Sequence, residues 1–113
     1  MIYFDEADAL SRTANNKKLL FKLINIFINS DDFTALKKAV DDNDFNAAAI
    51  YTHNIKGVAG NLSLTVLYEK IIALEIKINE KQTVNLKDAY MEIMEVLDAT
   101  VSRLNNFLDD GIG

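Results

Sequence analysis

Apolar residues along this chain recur at three- and four-residue spacing, the period of a helix buried on one side. The clearest run is Leu86, Tyr90, Ile93, Met94, Leu97, Val101, Leu104 and Leu108, which predicts one long C-terminal helix with Gly111 as its stop. Leu64, Leu67, Ile71, Leu74 and Ile78 predict the helix before it, started by Ser63 or Thr65, and Asn79 to Asn85 form a polar loop between the two. Further upstream, Leu20, Leu23, Ile24 and Phe27 make a stripe behind a cap at Asn15 or Asn16. Leu19 and Ile26 widen that stripe on one side and Phe21 and Ile28 on the other. This helix is therefore either central or meets a second element. Asn29-Ser30-Asp31-Asp32 interrupts it, and Phe33, Leu36, Ala39 and Val40 resume a helical stripe as far as Asp42-Asn43, with Ser30 or Asp31 as the new cap. Residues 5–12 predict a short helix with Asp5 and Glu6 in its first turn, where the dipole favours negative charge, and Phe4, Ala7 and Leu10 as apolar contacts.

The helix that follows Asp44 carries more information. At 100° per residue, Ala48, Tyr51, Thr52, Ile55, Val58, Ala59 and Leu62 fall within an arc of about 120°, which predicts its core face. His53, the sole histidine, lies roughly 160° from the centre of that arc. Around it lie Asn46, Ala49, Lys56, Gly57 and Gly60, with Ile50 at the edge. The pattern thus predicts an exposed imidazole among unusually small neighbours. Each glycine costs a helix about 1 kcal/mol relative to alanine, and close approach by another molecule is one reason to accept that cost. For Gly60 a helix end is an alternative reason, because Asn61, Ser63 and Thr65 are also turn and cap residues.

No strand-like alternation and no internal repeat interrupts these stripes. The expected fold is all-α, a single domain over residues 1–113. Four long helices with short connections favour an antiparallel up-down-up-down bundle, with the short additional N-terminal helix covering one end. Composition agrees: proline is absent, there are only four glycines, and half the residues are hydrophobic. Cysteine is absent too, which excludes disulfides and thiolate metal sites. The net charge is −5 with scattered cations, against the concentrated basic face that nucleic acid requires. No apolar run reaches the roughly 18–20 residues of a membrane span, and Met1-Ile2-Tyr3-Phe4-Asp5-Glu6 lacks a signal-peptide pattern. No membrane association and a cytoplasmic location are expected.

Little chemistry can be assembled from such a chain. One histidine does not make a metal site, and Asp44 and Glu69 lie outside the reach of the His53 face, so no metal is expected. A Ser-His-Asp arrangement is not evident. Gly57-x-x-Gly60 lacks the strand-turn-helix setting of a phosphate loop, which argues against an ATP site. A solitary exposed imidazole remains. In its neutral form it has a free ring nitrogen and is a competent nucleophile toward phosphorus. Lys56, one turn away, is placed to pair with the oxygens of a phosphoryl group on His53. A domain offering only the nucleophile can leave the rest of the chemistry to its partner.

His53-x-x-Lys56-Gly57, followed by Ala59-Gly60-Asn61-Leu62, resembles the signature of histidine-containing phosphotransfer domains. Asn43-Asp44-Phe45 looks like the start of that family's histidine-bearing helix, and Leu74-Glu75 resembles its Leu-Glu pair. The resemblance covers nearly the whole chain. It implies a cytoplasmic, monomeric carrier without kinase activity of its own. His53 would accept a phosphoryl group, on the ring nitrogen distal to the backbone, from a receiver-domain aspartate of a response regulator or hybrid histidine kinase, and pass it to another receiver. Lys56 would assist electrostatically. Gly57 would leave space for the receiver, with Asn46, Ala49, Ile50 and Gly60 in the docking footprint. The magnesium of the reaction would belong to the receiver, so no cofactor is expected on this chain. Three departures stand out: Ser63 where the family often has glycine, Thr52 where alanine is common, and a short Asn29–Asp32 interruption. Two other readings compete. One is a helical adaptor that docks a signalling protein through Phe21, Ile28, Ile50, Ile72 and Ile76 without carrying phosphate. The other is a kinase-like dimerisation bundle, disfavoured because the chain has enough helices to close a bundle alone.

Overall fold

The computed structural model describes residues 2–82 and 85–112, and every described regular element is a helix. They are α1 (Glu6–Arg12), α2 (Lys17–Ile28), α3 (Asp32–Asp41), α4 (Phe45–Asn61), α5 (Thr65–Asn79) and α6 (Leu86–Ile112). Of the predicted loop, residues 83–84 lie outside the described residues. Three starts use side-chain caps: Asp5 accepts from the Asp8 amide at 3.1 Å, Asn16 from Leu19 at 3.0 Å and Asp44 from Ala47 at 3.1 Å. Each satisfies one of the amides that a helix start leaves without a partner. At the α2–α3 break the N-cap is Asp31, which makes no side-chain cap bond; the Ser30 hydroxyl before it accepts from the Asp32 amide at 3.2 Å.

In a chain so poor in glycine, the helix ends are closed by other residues in the left-handed region. Asn43, Ser63 and Lys81 have φ of 53°, 55° and 55°. After α4, the Ser63 amide donates to the Gly60 carbonyl at 3.2 Å and the Leu64 amide to Ala59 at 2.9 Å. After α5, Lys81 donates to Ile78 and Gln82 to Lys77, both at 3.0 Å. These paired bonds form Schellman closures, which satisfy carbonyls the helix would otherwise leave open. Replacing glycine by Ser63 therefore does not prevent the helix end. It moves the cost into a side chain held in an unfavourable backbone well.

Four helices pack in a closed circuit, α3 on α4, α4 on α5, α5 on α6 and α6 back on α3. Leu36, Ile55, Leu67, Ile71, Leu74 and Ile93 are almost fully buried in the core. With 27 residues, α6 is about 40 Å long. Its C-terminal part serves a second layer, where Phe107 meets Phe4 and Phe21 edge-on at centroid distances of 5.0 and 5.3 Å. Serving two layers turns the buried stripe of α6. Val96, Thr100 and Phe107 are buried, whereas the predicted Met94, Leu97, Val101 and Leu108 are only partly covered. Gly111 does not stop α6, which runs through it to Ile112. In α1 the buried alanine is Ala9, not Ala7, and Phe4 carries the apolar anchor. Among the described residues, no helix is long and apolar enough to cross a membrane.

Candidate functional site

The site is built on α4, and its inner face is what aims it. Ala48, Thr52, Ile55, Ala59 and Leu62 are buried. Thr52 is accommodated because its hydroxyl donates to the Ala48 carbonyl one turn back, as expected for threonine inside a helix. The predicted core arc is too wide by one side. Val58 is 37% exposed, on the margin of a small groove with Ile26, Phe27 and Phe33, and Tyr51 is half-buried. With the inner face fixed, His53 points away from the core, its side chain 76% exposed. Asn46, Ile50 and Gly57 are exposed beside it, whereas Ala49, Lys56 and Gly60 are half-buried.

The two glycines differ in kind. Neither has a positive φ, so neither is required by the backbone. A Cβ added at Gly57 would meet nothing within 4 Å, so nothing among the described residues accounts for the glycine. A Cβ at Gly60 would lie 3.3 Å from Cε2 of Tyr68. Gly60 is thus explained by the Tyr68 ring of α5 lying against α4, which the helical wheel alone does not reveal.

The neighbouring helix also supplies a carboxylate that the spacing within α4 fails to show. Glu75 on α5 accepts from the Lys56 ammonium at 2.8 Å, and its other oxygen lies 4.0 Å from Nδ1 of His53. Spacing along α4 offers this face no carboxylate, and it is the packing of α5 against α4 that brings one there. The Leu74-Glu75 pair was the available signal. Leu74 is fully buried, and its neighbour in sequence is turned toward the α4 edge. The hydrogen bond from Lys56 to Glu75 is the main reason the lysine is held above its ordinary pKa, so the ammonium stays charged at neutral pH. One histidine with one carboxylate at 4.0 Å is not a metal site, and no cluster of three metal-binding side chains occurs among the described residues. Lys56 is the only charged residue of α4, and the one acid beside it, Glu75, comes from α5.

A cleft of about 430 Å³ adjoins this face, between α1 and the α4–α5 turn. Lys56, Gly57 and Gly60 line its near wall, Asp8 and Arg12 the far wall, and Tyr68 is also in its lining. Of the apolar residues that an adaptor would use, Ile50 and Ile76 are well exposed at 60% and 53%, whereas Phe21, Ile28 and Ile72 are half-covered. Compared with family models, curated proteins and solved structures, the chain matches none.

Proposed function

We propose that this chain is a histidine phosphotransfer domain, with α3 to α6 as its antiparallel four-helix bundle and α1 and α2 covering one end. The observation that carries the reading is the exposed His53 beside the Lys56 ammonium, with Gly57 one turn on and nothing among the described residues filling its space. Glu75, 4.0 Å from Nδ1, favours keeping the ring proton on that nitrogen. This leaves Nε2, the nitrogen distal to the backbone, free to attack.

In the transfer step the Nε2 lone pair attacks the phosphorus of a receiver's aspartyl phosphate. The N–P bond forms as the acyl P–O bond breaks, and that electron pair returns to the aspartate as carboxylate. The ring keeps its Nδ1 proton, and the positive charge it gains is offset by Glu75. Lys56 swings from Glu75 toward the phosphoryl oxygens. The reverse sequence delivers the group to a second receiver. Magnesium on the receiver supplies further charge neutralisation. The chain works as a monomeric cytoplasmic carrier with no kinase chemistry of its own.

The test is incubation with ³²P-labelled receiver domains from the same genome. Wild type is expected to take up an acid-labile label and His53→Gln to take up none. A label that persists in His53→Gln overturns the assignment. Undiminished binding of a receiver by His53→Gln, with no transfer to wild type, would instead establish a phosphate-free adaptor using Ile50 and Ile76.

A further inference from the structure

The cleft beside His53 is more than a gap between helices. Its near wall, Lys56, Gly57 and Gly60, is part of the histidine face, so a partner seated over His53 also covers the mouth of the cleft. On the far wall Arg12 donates to Asp8 at 2.8 Å, but only through Nε. Among the described residues no hydrogen bond uses its two terminal amino groups, and the side chain is 53% exposed. A guanidinium has five N–H donors in a planar fork suited to a carboxylate. Arg12 is therefore anchored at one edge and open along another.

Its anchorage is unusually complete for a surface cation. Asp8 also accepts from the Ser63 hydroxyl, and the Asp5 amide donates to the Ser63 carbonyl at 3.0 Å, so the α1 end is fixed on the α4–α5 turn. Tyr68 is 37% exposed and supported from below by Gly60. Asp8 accepts from Arg12 and Glu75 accepts from Lys56, so each cation near Tyr68 is partnered along one edge. Two cations thus flank one tyrosine at the edge of the histidine face, with Asp8 as the only acid in the cleft lining.

Building on the phosphotransfer reading, we propose that Arg12 and Tyr68 form a second recognition point for the receiver, in which the free edge of the Arg12 guanidinium takes a carboxylate of the partner and Tyr68 packs against its rim. The occupant follows from charge. A receiver that binds magnesium beside its acceptor aspartate must present further carboxylates around that aspartate. When the aspartate reaches His53, that acidic rim would be brought toward the cleft, because Lys56, Gly57 and Gly60 belong to both the histidine face and the cleft wall. A planar arginine held in place before binding gives orientation at little entropic cost, and an exposed tyrosine is well suited to an interface contact.

The test measures transfer from a ³²P-labelled receiver over a range of receiver concentrations, for wild type, Arg12→Gln, Arg12→Lys and Tyr68→Ala. The expected result is a rise of about tenfold in the half-saturating concentration for Arg12→Gln and Tyr68→Ala, equivalent to about 1.4 kcal/mol. The saturated rate is expected to stay within twofold of wild type. Arg12→Lys keeps the charge and can still pair with Asp8 but lacks the fork, so it is expected to resemble Arg12→Gln. Tyr68→Ala leaves the α1 anchor intact and keeps the test valid if Arg12→Gln loosens that helix. Unchanged half-saturation in Tyr68→Ala and Arg12→Lys, with wild type transferring normally, overturns the proposal while leaving the phosphotransfer reading in place. No transfer to wild type from any receiver overturns both.

Discussion

Gly57 offers the sharpest test of the docking face, because stability and function should move in opposite directions there. The residue lies within α4 without a positive φ, and a Cβ placed on it would meet nothing within 4 Å. Gly57→Ala therefore adds no clash and removes a residue that costs a helix interior about 1 kcal/mol. Unfolding entropy of about 2.1 cal/mol/K per residue gives about 0.24 kcal/mol/K for 113 residues, so this gain should raise Tm by about 4 °C. Gly57→Leu should keep most of the gain, since leucine is nearly as good a helix former and extends into solvent. On the phosphotransfer reading it should nevertheless raise the half-saturating receiver concentration by about tenfold or more, because its side chain would occupy the space over which a receiver closes. Thermal melts by circular dichroism read the first effect and receiver titrations the second. A lower Tm for Gly57→Ala would show that the space is not open. Normal transfer by Gly57→Leu would show that the glycine is not kept for a partner. Gly60→Ala is the internal control, and its gain should be smaller because the new methyl must displace the Tyr68 ring.

Four further outcomes are expected. Lys81→Gly should stabilise the fold by about 1 kcal/mol, since lysine there holds a φ of 55° that glycine adopts without strain, and a urea midpoint shift would measure it. Ser63→Gly should gain less than Lys81→Gly, because it also removes the Ser63–Asp8 hydrogen bond, and amide exchange in α1 should accelerate. Phe107→Ala should cost about 3–5 kcal/mol, as expected for a buried phenylalanine, and should free α1 and α2 while α4 and α5 stay protected in hydrogen exchange. The Asp8 carboxyl is held below its ordinary pKa chiefly by the Ser63 hydroxyl and then by Arg12. Its folded-state pKa is depressed, so its support for α1 is present above the ordinary carboxylate range and lost as pH falls through the lowered value. Faster α1 exchange in acid, absent in Asp8→Asn, would confirm that sign.

Most of the helical pattern was readable because burial on one side imposes its period on the sequence. His53 is exposed since Ala48, Thr52, Ile55 and Ala59 leave no other orientation for α4. What the sequence did not reveal depends on neighbours in space. Glu75 faces Lys56 only once α5 has packed against α4, and no spacing within α4 indicates it. Gly60 reads like Gly57 on a helical wheel, yet Tyr68 explains one and nothing among the described residues explains the other. The rotated stripe of α6 escaped for a similar reason. A single periodic run cannot show that its two ends pack against different partners, and Phe107 has its aromatic neighbours in Phe4 and Phe21.

The pairing of Phe4 with Phe107 also bears on how the molecule comes to be made. These rings lie nearly the whole chain apart, so the layer they hold cannot close until the last helix has left the ribosome. The contacts of α3, α4 and α5 are local by comparison and can form earlier, with little loop entropy to overcome. Synthesis should therefore produce a nascent species that carries His53 on α4 while the aromatic layer around Phe107 is still open and α1 is held only by its contacts to the α4–α5 turn. The fully braced fold exists only once translation has passed Phe107.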